Sequence, residues 1–253
     1  MLNREQWKQQ WLMEEATVFR GWDFAYLKGR IKEEVLPWDY KHILSGLLDQ
    51  QDRLLDMGTG GGEFLLSLHH PYELTYVTES YPPNVALCRQ TLEPLGIHVE
   101  QIYSDEEIPY PDACFDVVIN RHESFDLAEV YRVLKPKGLF VTQQVGGLNN
   151  KALSKLLIPD FVEIISSEFT LERSVRNAKS LGFDVVMQAE YYPSLHFYDV
   201  GALVYFAKII EWEFPDFSVE GCFDVLCQLQ QEIEQQGYIE SKEHRFMLVL
   251  QKP

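Results

Sequence analysis

The chain has 253 residues, of which 46% are apolar and 24% are charged. These fractions are close to the averages of globular proteins, so they disfavour wholesale disorder, a collagen-like repeat and a coiled coil. The 22 lysines and arginines against 39 aspartates and glutamates give a net charge of −17, which repels phosphate backbones and anionic lipid headgroups. We therefore expect neither a nucleic acid nor a membrane as a partner.

The amino terminus, MLNREQWKQQWLMEE, has no apolar core of signal-peptide length, which predicts a cytoplasmic protein. The four cysteines are scattered along the chain and form no C-x-x-C pair: Cys88, Cys114, Cys222 and Cys227. We expect free thiols, because disulfide frameworks and zinc sites use more or closer cysteines. No metal site is expected.

The first fifty residues are expected to be helical, because their apolar residues recur at spacings of three and four. Pro37 is expected to start a helix that continues over 38–48. The pattern then changes to a short apolar strand at 53–57, a glycine-rich turn at 58–62 and a helical run over 63–69. This order predicts a strand, a turn and a helix in direct succession.

Apolar runs and helical segments alternate along the rest of the chain. Strands are expected over 74–78, 99–103, 115–120, 139–143, 185–188 and 246–250, and helices over 84–95, 127–134, 171–181 and 200–236. Such alternation predicts a parallel sheet with helices on both faces, because each parallel crossover needs a connection of helix length. The expected fold class is therefore α/β, with a doubly wound, mostly parallel sheet.

We expect a single domain over 1–253. Its cofactor-binding core is expected at 51–145, with a helical amino-terminal cover at 1–50 and a substrate-side half at 146–253. The substrate-side half contains a helical insertion at about 198–240, before the last strand. This insertion would form either a lid over the site or a dimerisation element, and composition favours neither. The oligomeric state is left open.

The turn after the strand at 53–57 gives the strongest chemical signal in the sequence. Glycines let a backbone approach a ligand closely, and the amides at the following helix start are available to it. The dinucleotide fingerprint G-x-G-x-x-G needs a small third residue, but from Gly58 and Gly60 that position is Glu63. A carboxylate there would face a pyrophosphate, and the Gly-Lys-Ser/Thr of a P-loop is also missing. NAD, FAD and P-loop phosphate binding are therefore poor matches.

The segment DMGTGGG at 56–62 resembles the first motif of class I S-adenosylmethionine-dependent methyltransferases, acid-x-Gly-x-Gly-x-Gly. The resemblance extends over most of 53–145. Glu79 ends the second strand, Ser104 and Asp105 follow the third, and LKPKG precedes the fifth. The segment DEEIPYPDACFD, which begins at Asp105, is most similar to the small-molecule branch around the ubiquinone-biosynthesis methyltransferases, methyltransferase type 11.

This resemblance implies a Rossmann-like methyltransferase that moves a methyl group from S-adenosylmethionine to a small molecule and releases S-adenosylhomocysteine. It implies that Glu79 accepts both ribose hydroxyls and that Asp105 binds the adenine amino group. Asp56 would hold the aminoacid head, and Asn120 would supply a backbone carbonyl near it. The other implied cofactor residues are Gly58, Thr59, Gly60, Gly62 and Ser104.

The residues themselves agree with such a cofactor. A sulfonium cofactor has a cationic aminoacid head and a ribose diol but no phosphate, so acids at the strand ends are acceptable and even favourable. An acid at a strand end, such as Glu79, is also a common solvated helix cap. The run that begins at Asp105 would likewise suit a solvated loop.

The end of the fourth strand is the expected place of the chemistry, because ligands of open α/β sheets bind beyond the carboxyl ends of the strands. That end reads NRHES at 120–124 and lacks the Asn-Pro-Pro-Tyr of the branch that methylates DNA amines. His122 is the best candidate for a general base, because imidazole titrates near working pH. A structural hydrogen-bonding role for His122 is the alternative. Arg121 would bind an anionic acceptor or pair with surface acids.

Aromatic side chains are dense in two further places: Trp22, Phe24, Tyr26 and Trp38, and Tyr191, Tyr192, His196, Phe197 and Tyr198. They would either line a pocket for a cationic or apolar acceptor or pack in the core. Two other functions remain possible on the sequence: methylation of RNA or protein, and S-adenosylmethionine binding without catalysis. An NAD-dependent oxidoreductase is opposed by Glu63.

Overall fold

The computed structural model describes residues 3–19 and 24–253. Contacts within the chain divide it into two units, each assembled from three separate segments. The first unit comprises Met1–Leu36, Gly146–Phe169 and Tyr191–Arg245, and the second comprises Pro37–Val145, Thr170–Glu190 and Phe246–Pro253. The expectation of a single domain over 1–253 stays a prediction.

Helices and strands alternate along most of the chain. The helices are α1 (Arg4–Glu15), α2 (Tyr40–Leu47), α3 (Glu63–Leu66), α4 (Pro82–Thr91), α5 (Leu127–Val133), α6 (Lys151–Leu157), α7 (Leu171–Ser180), α8 (Val200–Ile209) and α9 (Val219–Gln236). The strands are β1 (Ile31–Glu33), β2 (Leu54–Met57), β3 (Thr75–Glu79), β4 (His98–Gln101), β5 (Phe115–Arg121), β6 (Leu134–Val145), β7 (Asp184–Tyr191), β8 (Ser194–Phe197), β9 (Ile239–Lys242) and β10 (Arg245–Gln251).

A seven-stranded sheet organises the second unit, with the order β4-β3-β2-β5-β6-β10-β7. The pairs β2/β3, β3/β4, β2/β5 and β5/β6 are parallel. The chain winds outwards from β2 through β3 to β4, and then continues on the other side of β2 with β5 and β6. This topology confirms the expected α/β class with a doubly wound, mostly parallel sheet.

The core of the second unit explains why its strands are so apolar. All four residues of β2 are buried, as are five of the seven in β5. Strands of a parallel sheet are covered on both faces, so they do not alternate between apolar and polar residues. Leu44 of α2, Cys88 of α4 and Leu92, which follows α4, contribute to this core, and each is fully buried.

The first unit contains a small sheet of order β1-β8-β9, in which both strand pairs are antiparallel. Its apolar core is built around Trp11, Leu203, Phe214 and Leu226. Strand β1 corrects the expectation that the first fifty residues are helical. Ile31 pairs with Phe197, so this strand depends on a partner about 165 residues away, which local periodicity does not reveal.

Most expected elements are confirmed, with ends that differ by a few residues. Helix α2 begins at Tyr40 and not at Pro37, because the Asp39 side chain accepts the amide of His42 at 3.0 Å and caps the helix there. The expected helical stretch over 200–236 consists of α8 and α9. Helix α6 and the short strands β8 and β9 were not expected from the sequence.

All four cysteines are buried and free, as expected. Within 3–19 and 24–253, no helix is both long and apolar enough to cross a membrane. The same residues contain no group of three histidine, cysteine or acidic side chains that could hold a metal ion.

Candidate functional site

The candidate site lies in the second unit, where the strand order reverses between β2 and β5. Met57 and Asn120 are register partners near the carboxyl ends of these strands. Ligands of open α/β sheets bind at such a reversal, because the two following loops diverge and leave a crevice. The loops here are the glycine turn at 58–62 and the segment 121–124.

Three glycines of the turn have positive φ angles that favour glycine: Gly58 at +70°, Gly60 at +62° and Gly62 at +84°. The Gly58 amide donates to the Thr78 carbonyl at 2.9 Å, which ties the turn to β3. A Cβ atom on Gly60 would meet no atom of residues 3–19 and 24–253 within 4 Å, whereas one on Gly62 would lie 2.8 Å from Leu92. The turn is therefore packed at Gly62 and open at Gly60.

Glu79 ends β3 and is only 3% exposed. Its Oε1 accepts the amides of Ser80 and Tyr81, and its Oε2 accepts the amide of Gly60, all at 2.9 Å. A carboxylate has about four lone-pair positions, so about one position remains on Oε2. These bonds fix Glu79 directly against the glycine turn.

Asp56 lies on β2 and is 5% exposed. Burial raises its pKa to about 7, and the charge of Glu79 adds to that effect. The Thr59 hydroxyl and the Arg121 guanidinium oppose it. Thr59 Oγ1 is buried, and its approach to Asp56 lacks the geometry of a hydrogen bond. The cost of burying the Asp56 charge beside the turn is therefore only partly offset by its neighbours.

Asn120, at the end of β5, is fully buried. Its Oδ1 accepts Gln144 Nε2 at 2.6 Å and Thr142 Oγ1 at 3.3 Å. Its backbone carbonyl accepts the Tyr40 hydroxyl at 3.1 Å. Side chains of β6 and α2 thus hold Asn120 in place at the end of β5.

His122 follows β5 and is exposed, with a φ of +62°. Its backbone amide donates to the Gln143 carbonyl at 2.9 Å. Trp38 Nε1 lies 2.8 Å from Gln143 Oε1, and Gln143 Nε2 lies 3.0 Å from His122 Nε2. Because an indole N–H only donates, the Gln143 amide group faces His122 with its own N–H. His122 Nε2 therefore accepts in this chain of bonds, which assigns the imidazole proton to Nδ1.

The loop after β4 holds the two remaining expected cofactor residues. Ser104 is exposed, and its hydroxyl accepts the Glu106 amide at 3.1 Å. Asp105 is half-buried and acts electrostatically on Glu123.

Arg121 and Glu123 complete the rim of the crevice. The Arg121 guanidinium lies 4.6 Å from the centroid of the Phe64 ring, which indicates a cation–π contact. Glu123 lies so close to Gly58 that a Cβ on this glycine would be 2.3 Å from Glu123 Cγ. No role for Glu123 is predicted from the sequence, although it stands within the segment identified as the place of the chemistry.

Three of the other rings that could line a pocket have ring contacts within the first unit. Phe197 is buried against Phe206, His196 stacks on Tyr238, and Tyr192 stacks on His244, with centroid distances of 5.4, 4.1 and 4.7 Å. Trp22 lies outside the described residues. These contacts explain the rings as packing elements of that unit.

The comparisons with known proteins agree with this geometry. Residues 55–142 match a family model described as a methyltransferase domain. This match confirms the resemblance seen in the sequence. A search of curated proteins finds no match.

Solved structures of the same fold include a candidate methyltransferase from Bacillus halodurans C-125, with 15% identity and a TM-score of 0.55 over 85% of this chain and 99% of that one. The YcgJ protein of Bacillus subtilis has 16% identity and a TM-score of 0.55, over 84% and 97% of the two chains. The [4+2]-cyclase SpnF has 16% identity and a TM-score of 0.53, over 84% and 79%. Identities this low establish a shared fold and leave the reaction to the site.

Proposed function

We propose that this chain, whose residues 55–142 match a methyltransferase domain, transfers a methyl group from S-adenosylmethionine to a small-molecule acceptor and releases S-adenosylhomocysteine. S-adenosylmethionine is the methyl donor of this family. The observation that supports a small acceptor is the acidic rim of the crevice, where the charges of Glu79 and Asp105 both raise the pKa of Glu123. Such a rim repels a phosphate backbone and favours a cationic or uncharged acceptor.

The residues present fit this cofactor. When bound, it supplies an electrophilic methyl group on a positively charged sulfur. The open space at Gly60 leaves room for a ligand against the backbone. The buried carboxylates of Asp56 and Glu79 suit a ligand with hydroxyls and a cationic head, whereas they would repel a diphosphate.

We propose the following roles within the crevice. Asp56 and the carbonyl of Asn120 hold the ammonium of the aminoacid head. Glu79 accepts one ribose hydroxyl and not the expected two, because three backbone amides leave about one lone pair of its carboxylate. Asp105 binds the adenine amino group. The other residues proposed to contact the cofactor are Gly58, Thr59, Gly60, Gly62 and Ser104.

His122 is proposed as the catalytic residue for acceptors that must lose a proton. To act as a base, its Nε2 must exchange the hydrogen bond from Gln143 for the proton of the acceptor. We expect His122→Asn to lower kcat by about 10²- to 10⁴-fold and to leave the affinity for S-adenosylmethionine unchanged. Asparagine is the suitable replacement because it tolerates a positive φ. An unchanged kcat, measured across pH 6 to 9, would leave His122 with a structural role only.

The choice of acceptor is tested by transfer of a labelled methyl group from S-adenosylmethionine to three kinds of substrate. One set contains small molecules, with amines and aromatic compounds first, and the others contain total RNA and unfolded protein. We expect label in the small-molecule fraction. Label in RNA or protein alone, at low salt, would contradict the proposal.

A further inference from the structure

Glu123 occupies an unusual place in the crevice. Its side chain packs on Gly58, the first glycine of the turn, where a Cβ atom would lie 2.7 Å from Glu123 Cβ and 2.3 Å from Glu123 Cγ. Gly58 is therefore required both by its φ of +70° and by this close approach. The consequence is a carboxylate held directly beside the glycine turn.

Among the described residues, Glu123 caps no helix and forms no ion pair that would account for its carboxylate. Helix α5 is capped by Asp126, whose side chain accepts the Glu129 amide at 2.8 Å. Glu123 Oε1 accepts only weak local bonds, from the Ser124 amide at 3.2 Å and the Ser124 hydroxyl at 3.4 Å. A glutamine would fill the same volume and accept the same bonds. What the glutamate adds is its negative charge.

That charge lies among other negative charges. Burial raises the pKa of Glu123, and the charges of Glu79 and Asp105 raise it further. Glu79 also raises the pKa of Asp56, which Arg121 partly opposes. The carboxyl ends of β2, β3 and β5 and the loop after β4 thus bring four acids to one crevice. Their mutual repulsion disfavours the protein without a ligand and is relieved by a ligand with net positive charge.

The two ligands of the proposed reaction differ in net charge. S-adenosylmethionine has a sulfonium, an ammonium and a carboxylate, so its net charge is +1. In methyl transfer the carbon–sulfur bond breaks and its electron pair stays on sulfur, while a lone pair of the acceptor forms the new bond to the methyl carbon. The product S-adenosylhomocysteine therefore has a thioether and no net charge.

We infer that Glu123 makes the crevice select the cationic methyl donor over its uncharged product. This inference rests on the proposed cofactor site at the glycine turn. The carboxylate beside Gly58 attracts the donor electrostatically and has little effect on the product. It thereby reduces inhibition by S-adenosylhomocysteine. The donor and the product can make the same contacts with the protein and still differ in affinity, because only the donor has a net positive charge.

The test is calorimetric titration of S-adenosylmethionine, S-adenosylhomocysteine and sinefungin into the wild-type protein and Glu123→Gln. Sinefungin has an ammonium in place of the methylated sulfur, so it reports on charge without reactivity. We expect the variant to bind both cationic ligands about tenfold more weakly and the product within about twofold of wild type. Glu106→Gln, which removes an exposed acid from the loop after β4, is the matched control and should change no ratio.

Each other outcome has a distinct meaning. An equal loss of affinity for all three ligands would overturn the charge selection and leave Glu123 a packing residue. A gain for all three in Glu123→Ala, with no change in Glu123→Gln, would show that the side chain merely blocks the crevice. If the folded wild-type protein binds none of the ligands, the proposed site itself fails. Binding with an unchanged ratio overturns only the inference on Glu123.

Discussion

Asp56→Asn is expected to stabilise the ligand-free protein by about 4 kcal/mol at pH 8 and to weaken S-adenosylmethionine binding at the same time. The folded protein raises the pKa of Asp56 from 3.8 to about 7, mainly because the carboxylate is buried. At about 1.36 kcal/mol for each pH unit, this rise corresponds to about 4 kcal/mol against the ionised form. Asparagine removes the charge and keeps the shape of the side chain.

The increase in stability caused by Asp56→Asn is expected to depend on pH. Because the folded state holds the Asp56 proton more tightly than the unfolded state, the wild-type protein loses stability as the pH rises from about 4 to about 7. We expect the advantage of Asp56→Asn to be full at pH 8 and roughly half as large at pH 5.5. Urea unfolding at the two pH values measures this difference. A gain of equal size at both values would contradict a buried, ionised Asp56.

The same substitution tests the proposed role of Asp56 in binding. Loss of a hydrogen bond to a charged group costs about 1.5–3 kcal/mol, so we expect S-adenosylmethionine to bind ten- to a hundredfold more weakly. Asp184→Asn, at an exposed position on β7, is the control and should change neither stability nor affinity. A stabilised variant with wild-type affinity would remove Asp56 from the site while leaving its burial established.

The sheet and the glycine turn could be predicted from the sequence because their signals are local. The strand at Leu54–Met57 is apolar except for Asp56, and the glycines follow it at once. The strands β1, β8 and β9 could not be predicted in this way. They have three or four residues each, and β1 and β8 are joined by the distant pairing of Ile31 with Phe197. Only tertiary pairing makes such short segments into strands.

The residues of the site likewise divide into those with a local sequence signal and those brought together only by tertiary structure. Asp56 and Glu79 could be found because an acid at or near the end of an apolar strand is visible in the sequence. The bonds from Trp38 through Gln143 to His122 could not, because they join three segments that meet only when β5 and β6 pair. The contact of Glu123 with Gly58 likewise depends on the adjacency of β2 and β5.

Substituting the glycines of the turn by alanine is expected to separate binding from stability. Gly60 and Gly62 both have positive φ angles, so alanine at either position costs about 1 kcal/mol of backbone strain. At Gly62 the new methyl group also lies 2.8 Å from Leu92, a fully buried residue that follows α4. We expect Gly62→Ala to destabilise the protein by about 2–4 kcal/mol, because overpacking adds about 1–3 kcal/mol to the strain.

Gly60→Ala is expected to lower the affinity for the cofactor strongly and the stability of the protein only slightly. Its methyl group would enter open space, so the free energy of unfolding should fall by only about 1 kcal/mol. If the cofactor lies against this part of the turn, the same methyl group reduces the affinity for S-adenosylmethionine at least tenfold. Gly96→Ala is the matched control, since Gly96 also has a positive φ and open space but lies after α4. It should share the loss of stability and keep full affinity.

Comparison of Gly60→Ala with Gly96→Ala therefore separates the effect of the methyl group on ligand binding from the effect of backbone strain on stability. The two variants impose the same kind of strain, so a difference in affinity between them has to come from what occupies the space above Gly60. Equal affinities would mean that this space stays empty when the cofactor binds, and the ligand would then have to lie elsewhere along the crevice. A large difference would identify the glycine turn as the binding surface, independently of any assay of methyl transfer.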